Sequence, residues 1–368
     1  MKKVTKSQLF KRQITLSEIG EEGQQKLQNA SVLIVGCGGL GSPIVVQLAA
    51  SGIGKIHLID FDVVDVTNLH RQVFYSLDDV GKSKAACLAK FIEQRAPFTE
   101  VECSNVAITK DNVFELISSV DIVIDGTDSL PTKYLLNDAC VLQNKPLVYG
   151  SLYKFDGYVA NFNLPLSDGI YSANLRDAFP TMATDIPNCE EAGTLNAIVS
   201  LIAAQQVNEV LKIVTGIGKP LTNELLIYNS LHNSQLKMKL TSKDSCHSER
   251  QRRISGIFEK ETYFDAICEF QNPEWLISSE ELKSIITKNS TNSNIEIISV
   301  LENLETPFQV DKTITLAALQ QQKFHPELNK NYVLVCKKGL TSYKATKLLK
   351  EKFPTTNILS LSGGINAF

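Results

Sequence analysis

Between residues 31 and 128 the chain gathers groups that suit a bound nucleotide. Gly36, Gly38 and Gly41, with Gly39 between them, form a G-x-G-x-x-G turn in SVLIVGCGGLGSPI. The apolar β run Val32–Val35 leads into the turn, and SPIVVQLAASGI follows with helical spacing. In that setting, backbone N–H groups and a helix N-terminus meet phosphate. Asp60 ends the next strand, KIHLID, where a carboxylate accepts hydrogen bonds from ribose hydroxyls. These residues argue for a nucleotide without choosing which one.

The continuation narrows the choice. A hydride-transfer enzyme lays the second half of its dinucleotide across the sheet and needs no cations beside the first phosphate. Here DFDVVDVTNLHRQ, GKSKA and GTDS put Asp62, Asn68, Arg71, Gln72, Lys84 and Asp128 at or just beyond strand ends, where this kind of sheet places its ligand. Two cations, Arg71 and Lys84, and an acid able to hold a metal ion, Asp128, suit a triphosphate split at its α-phosphorus. Charge then builds up on a leaving pyrophosphate. The competing reading of these residues is a set of unrelated surface ion pairs.

The elements that must position these groups follow from periodicity. After the first β-α-β unit come a helix near 82–96, an edge-like strand VECSNVAI, a helix near 111–118 and the strand DIVIDGTD. A helix near 131–143, the strand PLVYGSLY and the stretch GYVANFNL follow. The alternation predicts an α/β, Rossmann-like doubly wound and mainly parallel sheet with helices on both faces. Periodicity is lost over 166–192, a long irregular segment of the kind that is usually functional or disordered. A helix over roughly 193–215 and a hairpin in LLIYNSLHNSQLKMKL follow. The polar, basic stretch TSKDSCHSERQRRIS reads as a solvated linker, giving domains at 1–240 and 275–368 with a linker at 241–274. The smaller C-terminal domain repeats an α/β pattern: the helix EELKSIITK, the strands IEIISV and YVLVC, the helix TSYKATKLLKEKF and the strand NILSLSGG.

Bulk properties set outer limits. The 368 residues carry a net charge of -3, which gives no reason to expect nucleic acid. No stretch reads as apolar for the length of a membrane span, and the basic N-terminus lacks the apolar core of a signal peptide. The expectation is a cytoplasmic protein with no membrane partner. Eight cysteines are scattered without a CxxC pair, which favours buried thiols over disulfides.

The phrases GCGGLG, LIDFDVVDVTNLHRQ, GKSKA and GTDS, with the early FKRQI, resemble the adenylating domain of MoeB, ThiF and the ubiquitin-activating enzymes over about residues 1–240. NLHRQ is more discriminating than the glycines. The resemblance implies ATP and Mg²⁺, with Gly38 and Gly41 bordering the phosphates and Asp60 holding the ribose. It assigns Asn68, Arg71 and Lys84 to the triphosphate and Asp128 to Mg-ATP. Arg12 matches an arginine that the family donates to the neighbouring subunit, which implies a homodimer; as a bare sequence feature it is also simply a basic residue of the N-terminal tail. The family's substrate is the C-terminal Gly-Gly of a ubiquitin-like carrier, whose carboxylate attacks the α-phosphorus. That carboxylate is already ionised at pH 7, so positioning and charge neutralisation supply the catalysis without a base.

Two cysteines stand apart. Cys189, in DIPNCEEAG just before a helix, matches the family's crossover-loop cysteine, which can be linked covalently to the activated carrier; Glu190 and Glu191 oppose a lowered pKa there. Cys336, in VLVCKKGLTSYKA with LSGGINAF near the chain end, resembles the rhodanese loop C-x-x-G-x-[RS]-S, which carries sulfur as a persulfide. The match spans roughly 275–368. Thr341 stands in place of the loop arginine, and Ser299-Val300-Leu301-Glu302 replaces an acidic-arginine phrase. A rhodanese-like fold that only docks the carrier is the alternative. The family's structural zinc needs two CxxC pairs; the corresponding places read Tyr171-Ser172-Ala173-Asn174 and Cys246-His247-Ser248-Glu249, so no zinc is expected.

The leading reading is therefore an adenylyltransferase for a ThiS- or MoaD-type sulfur carrier, in thiamine thiazole or molybdopterin synthesis, fed by a persulfide donor such as a cysteine desulfurase. Adenylation of another peptide C-terminus, and a nucleotide-binding scaffold without chemistry, are the competing readings.

Overall fold

The computed structural model describes residues 4–167, 169–182, 193–242, 246–261, 263, 273–288, 295–302, 304–320, 324–327, 330–337, 339–365 and 368. The chain divides into two units, Met1–Tyr263 and Phe264–Phe368.

In the first unit β1 (Ser31–Val35), β2 (Lys55–Ile59), β3 (Glu100–Ser104), β4 (Ile122–Asp125) and β5 (Leu147–Tyr153) run parallel in the order β5-β4-β1-β2-β3. Beyond β5 the sheet continues antiparallel through β6 (Asp156–Phe162), β9 (Glu224–Asn229) and β10 (Ser234–Lys239). A small ribbon, β7 (Pro165–Ser167) with β8 (Ile170–Tyr171), lies outside it. Continuous apolar runs such as VLIV in β1 and IVI in β4 belong at the centre of a sheet covered on both faces. The polar EVECS of β3 suits an edge.

Parallel neighbours need crossovers, and the helices Gly41–Ser51, Lys84–Glu93 and Leu130–Leu142 provide them. The two-residue period of β1 splits its side chains. Val32 and Ile34 join a core with Leu48, Leu88 and Ile202, while Leu33 and Val35 join another with Val123, Tyr134 and Leu136. Each fully buried aliphatic side chain contributes about 1.5–3 kcal/mol, so these two layers fix the doubly wound arrangement.

Two expectations are corrected. The segment read as a solvated linker contains the helix His247–Lys260, and Ile254 and Phe258, four residues apart, sink into the first unit on one face of it. Phe258 packs against Phe114 and Tyr263. The basic residues on its other faces hid this stripe in the composition. Likewise, the helix Asn196–Thr215 is long and apolar enough to cross a membrane by length and composition. It lies against β5, β6 and the helix Gly41–Ser51, with Ile198, Val199, Ile202 and Val210 buried, as a core helix of this unit.

The second unit is a five-stranded parallel sheet, β11 (Leu276–Ile277), β15 (Asn357–Leu361), β14 (Asn331–Val335), β12 (Ile295–Ser299) and β13 (Lys312–Thr313) in spatial order. The helices Ser279–Lys288 and Leu340–Lys352 fall where the sequence places them, and a short helix Leu316–Gln320 is added. Ile298, Leu334 and Ile358 face one core and Ile297, Val333 and Leu361 the other. The two-residue strands β11 and β13 are too short to show a period.

Candidate active site

Strand order sets the site. β1 lies between β2 and β4, and the chain runs outward from it in both directions, so the loops after β1 and β4 part at a topological switch point. The two loops touch there. Gly36 has φ +90°, and a Cβ on it would lie 2.9 Å from the Gly126 carbonyl. A Cβ on Gly126 would lie 2.8 Å from the Gly36 oxygen, and one on Gly41 only 1.7 Å from it. Glycine at these places is thus demanded by backbone contact as well as by approach to a ligand. Ser42 N–H donates to the Gly38 carbonyl as the helix Gly41–Ser51 begins.

Asp60 is buried beside this loop. Its Oδ2 accepts from Cys37 N–H at 2.6 Å and its Oδ1 from Asp62 N–H at 2.7 Å. Burial pushes its pKa up, opposed by those two N–H groups and by Lys84. It therefore braces the glycine loop as well as standing where ribose is expected. Lys84 opens the helix Lys84–Glu93, is itself buried, and donates from Nζ to Asp62 Oδ2 at 3.0 Å. Asp62 is half exposed, so this lysine is held by a counter-ion that water reaches.

The NLHRQ phrase begins at the last residue of one turn of 3-10 helix, Val66–Asn68, capped by Asp65, whose Oδ1 accepts from Thr67 N–H. The Asn68 carbonyl accepts from both Arg71 N–H and Gln72 N–H, which brings Asn68, Arg71 and Gln72 together. Arg71 lies across Gly39, whose Cβ would be 3.8 Å from Arg71 Cγ. Its Nη1 donates to the Thr67 carbonyl at 3.3 Å and to His70 Nε2 at 3.0 Å. Gln72 is buried with its Nε2 3.4 Å from where a Gly38 Cβ would sit, and its Oε1 has no hydrogen-bond partner among the described residues. A buried amide with a spare acceptor against the glycine loop fits a site built for a polar ligand.

β4 ends at Asp125, and Gly126-Thr127-Asp128 turns out of the sheet. Asp128 is exposed, and its side chain makes no hydrogen bond or ion pair among the described residues. A free carboxylate two residues from the Gly36–Gly126 contact fits a Mg²⁺ held by one carboxylate and phosphate oxygens. No group of three or more His, Cys, Asp or Glu that would hold a metal by itself occurs among the described residues. Sequence reasoning missed what lies beneath: the fully buried Asp125 pairs with Lys133, Nζ to Oδ2 at 2.9 Å. The available signal was an acid inside the apolar run DIVID, which requires a partner.

Arg12 falls elsewhere. It is exposed in the short helix Lys11–Ile14, and the neighbouring Gln13 donates to the Ser51 carbonyl at the far end of the helix Gly41–Ser51. Eleven residues of helix, about 16 Å, separate that end from the glycine loop.

The places where the resemblance implies zinc do not fit the metal. Ser172 Oγ accepts from Leu164 N–H, and Asn174 caps the helix Leu175–Ala178. His247 stacks on Tyr171 at 4.1 Å and hydrogen-bonds Asn144, while Arg250 donates to the Ser172 carbonyl at 2.7 Å. Packing and hydrogen bonds join the two segments that two CxxC pairs would otherwise clamp.

In the second unit, Cys336 follows β14 and is buried. Ser342 N–H donates to its Sγ at 3.3 Å, and Ser342 Oγ lies 3.3 Å from the same sulfur. Gly339 closes the loop at φ +82°, where a Cβ would meet Gly364 N at 2.8 Å. Thr341 is the second residue of the helix Leu340–Lys352, and Ser299 is buried with its Oγ donating to the Leu301 carbonyl at 2.8 Å. Cys189 lies outside the described residues.

The ThiF family model matches residues 10–248, which covers the first unit from the N-terminal helices almost to its end. The chain belongs to the ThiF family. Within it, the chain is 40% identical over 246 residues to the sulfur carrier protein adenylyltransferase of Thermus thermophilus, covering 66% of this chain and 91% of that protein. It is 32% identical over 369 residues to the probable adenylyltransferase/sulfurtransferase MoeZ of Mycobacterium tuberculosis, covering 98% of this chain and 92% of that one. The adenylyltransferase and sulfurtransferase MOCS3 of Drosophila sechellia is 32% identical, with 98% and 82% covered. Among solved structures, the ATP complex of Escherichia coli MccB has a TM-score of 0.54 and 26% identity over 61% of this chain and 68% of that one. The ThiF family model ends before the second unit, whereas the MoeZ and MOCS3 likenesses run through both units.

Proposed function

We propose that this protein uses Mg-ATP to adenylate the C-terminal glycine carboxylate of a ubiquitin-like sulfur carrier of the ThiS or MoaD kind, and that its second unit converts the adenylate to a thiocarboxylate. The product serves thiamine thiazole or molybdopterin synthesis. What carries the reading is a glycine loop flanked by Arg71, Lys84 and Asp128 in a ThiF-family chain that resembles MoeZ along 98% of its length. A scaffold that merely held a nucleotide would have little use for all three charged groups.

In the first half-reaction a carrier carboxylate oxygen bonds to the α-phosphorus as the bond from that phosphorus to the bridging oxygen breaks. Acyl-adenylate and pyrophosphate result. Arg71 and Lys84 turn from the Thr67 carbonyl, His70 and Asp62 to the phosphates, where they offset charge developing on the leaving group. Asp128 would hold Mg²⁺, which would supply charge to neutralise the phosphate oxygens. The loop N–H groups and the helix starting at Gly41 hold the triphosphate.

In the second half-reaction the outer sulfur of a Cys336 persulfide attacks the acyl carbon and AMP leaves, giving an acyl disulfide. A cellular thiol attacks Cys336 Sγ and releases the thiocarboxylate. That leaves a disulfide, which a second cellular thiol reduces. The persulfide sulfur comes from a donor such as a cysteine desulfurase, in a reducing cytoplasm.

Intact mass tests this directly. ThiS-type and MoaD-type carriers are incubated with the protein, Mg-ATP and a persulfide donor. The expected result is a gain of one AMP, followed by replacement of one carrier oxygen by sulfur. No AMP on either carrier would redirect the reading to another peptide C-terminus or to a scaffold.

The position of Arg12, remote from its own glycine loop, supports a homodimer in which it serves the partner's nucleotide. Arg12→Ala and Arg71→Ala are each expected to be inactive. Mixed and re-equilibrated, they should regain roughly a quarter of wild-type activity, because half of the random dimers carry one intact site of two. No recovery on mixing would place Arg12 in its own chain's site, and an active Arg12→Ala protein would place it outside the reaction.

A further inference from the structure

Beneath the nucleotide loop the first unit buries two opposite charges that the proposed reaction does not use. Asp125 is 0% and Lys133 3% exposed. The three N–H bonds of Lys133 Nζ are all taken: by Asp125 Oδ2 at 2.9 Å, the Thr127 carbonyl at 2.7 Å and the Gly150 carbonyl at 2.7 Å. Asp125 Oδ1 accepts from Thr127 N–H at 3.0 Å and from Thr127 Oγ1 at 2.8 Å. The Asp125 carbonyl in turn accepts from Gln206 Nε2 at 2.9 Å, and Gly126 N–H donates to the Val35 carbonyl at 2.8 Å.

The Asp125 side chain and carbonyl, the Gly126 N–H and the Thr127 carbonyl are therefore all held. The Thr127 carbonyl matters most, because it belongs to the peptide that leads into Asp128. Burying two ions is costly, and an apolar pair of the same volume is often as good for stability. An apolar pair would not hold that carbonyl.

We propose that Lys133 is a positioning residue for Mg-ATP. Through Asp125 and the Thr127 carbonyl it sets the direction in which Asp128 is presented to the nucleotide. This rests on the reading given above, in which Asp128 acts at the nucleotide.

If Lys133 works through Asp128, its contribution to Mg-ATP binding disappears once Asp128 is gone. The test is a double-mutant cycle on the full chain: the Kd for Mg-ATP of wild type, Lys133→Met, Asp128→Asn and the double variant, by titration calorimetry without carrier. Lys133→Met is expected to weaken binding by about tenfold, within the range of coupling between neighbouring groups. The double variant should bind no more weakly than Asp128→Asn alone. Equal weakening by Lys133→Met in both backgrounds, or no weakening in either, overturns the proposal.

A lone Asp125 left in the core endangers folding. Asp125→Asn combined with Lys133→Met removes both charges and leaves an amide oxygen for Thr127. The same cycle read with that pair decides the matter if Lys133→Met alone does not fold. A wild-type chain that binds no Mg-ATP would instead overturn the adenylating reading itself.

Discussion

Replacing Asp128 with alanine should lower carrier-dependent ATP–pyrophosphate exchange by about a hundred- to a thousandfold, the scale seen when one electrostatic contribution to a transition state is removed. The side chain is exposed and makes no hydrogen bond or ion pair among the described residues, so its loss removes nothing that holds the fold. The thermal midpoint should therefore stay within about 2 °C of wild type. Arg71→Ala should act similarly on exchange. Among the described residues its guanidinium hydrogen-bonds the Thr67 carbonyl and His70. The pattern to look for is loss of exchange with the melting curve unchanged. An Asp128→Ala protein that kept a tenth of its exchange would remove Asp128 from the chemistry, because a factor of ten is within what a bystander beside a charged substrate produces.

The second large effect is separable from the first. Cys336→Ala should leave carrier adenylation at the wild-type rate and abolish thiocarboxylate formation, a loss of at least about a hundredfold, since no other group on the loop supplies a sulfur nucleophile. Cys336 sits in the second unit's core with Ile298, Leu334 and Ile358, where removing one sulfur leaves a small cavity and costs about 1 kcal/mol. Intact mass should then show the carrier stalled as its AMP adduct. Loss of adenylation in the same variant would mean that the two half-reactions are not divided between the two units. Ser342, whose N–H and hydroxyl both meet the sulfur, is the partner that would make the thiol a competent carrier.

Much of this was written in short stretches of the chain. The β-α-β unit around Gly36–Gly41 is legible because its signals are local: an apolar run, a turn that tolerates φ above zero, then helical spacing. NLHRQ is equally local, and folding adds only that the turn after one 3-10 helix gathers Asn68, Arg71 and Gln72 through the Asn68 carbonyl. The loop C-x-x-G-x-T-S around Cys336 comes out as its spacing implies, with the glycine at positive φ and the serine on the sulfur. The helix His247–Lys260 was missed for the opposite reason. Its apolar stripe is narrow among charged residues, and only the surface it packs against, Phe114 and Tyr263, shows that it is needed.

By itself the sequence determined the type and order of most elements, the position of the nucleotide turn and the residue types offered to a triphosphate. Periodicity and turn chemistry act between neighbours along one element, so a reading along the chain reaches them. Tertiary structure alone decided that Gly36 and Gly126 meet at a switch point. It also decided that Lys84 is held by Asp62, that Asp125 is gripped by Lys133 and by Gln206 from 81 residues away, and that Arg12 stands at the far end of a helix from its own loop. Those meetings depend on which strands lie side by side, and strand order is set by how two apolar faces are buried at once, a property of the whole sheet that no window of sequence contains.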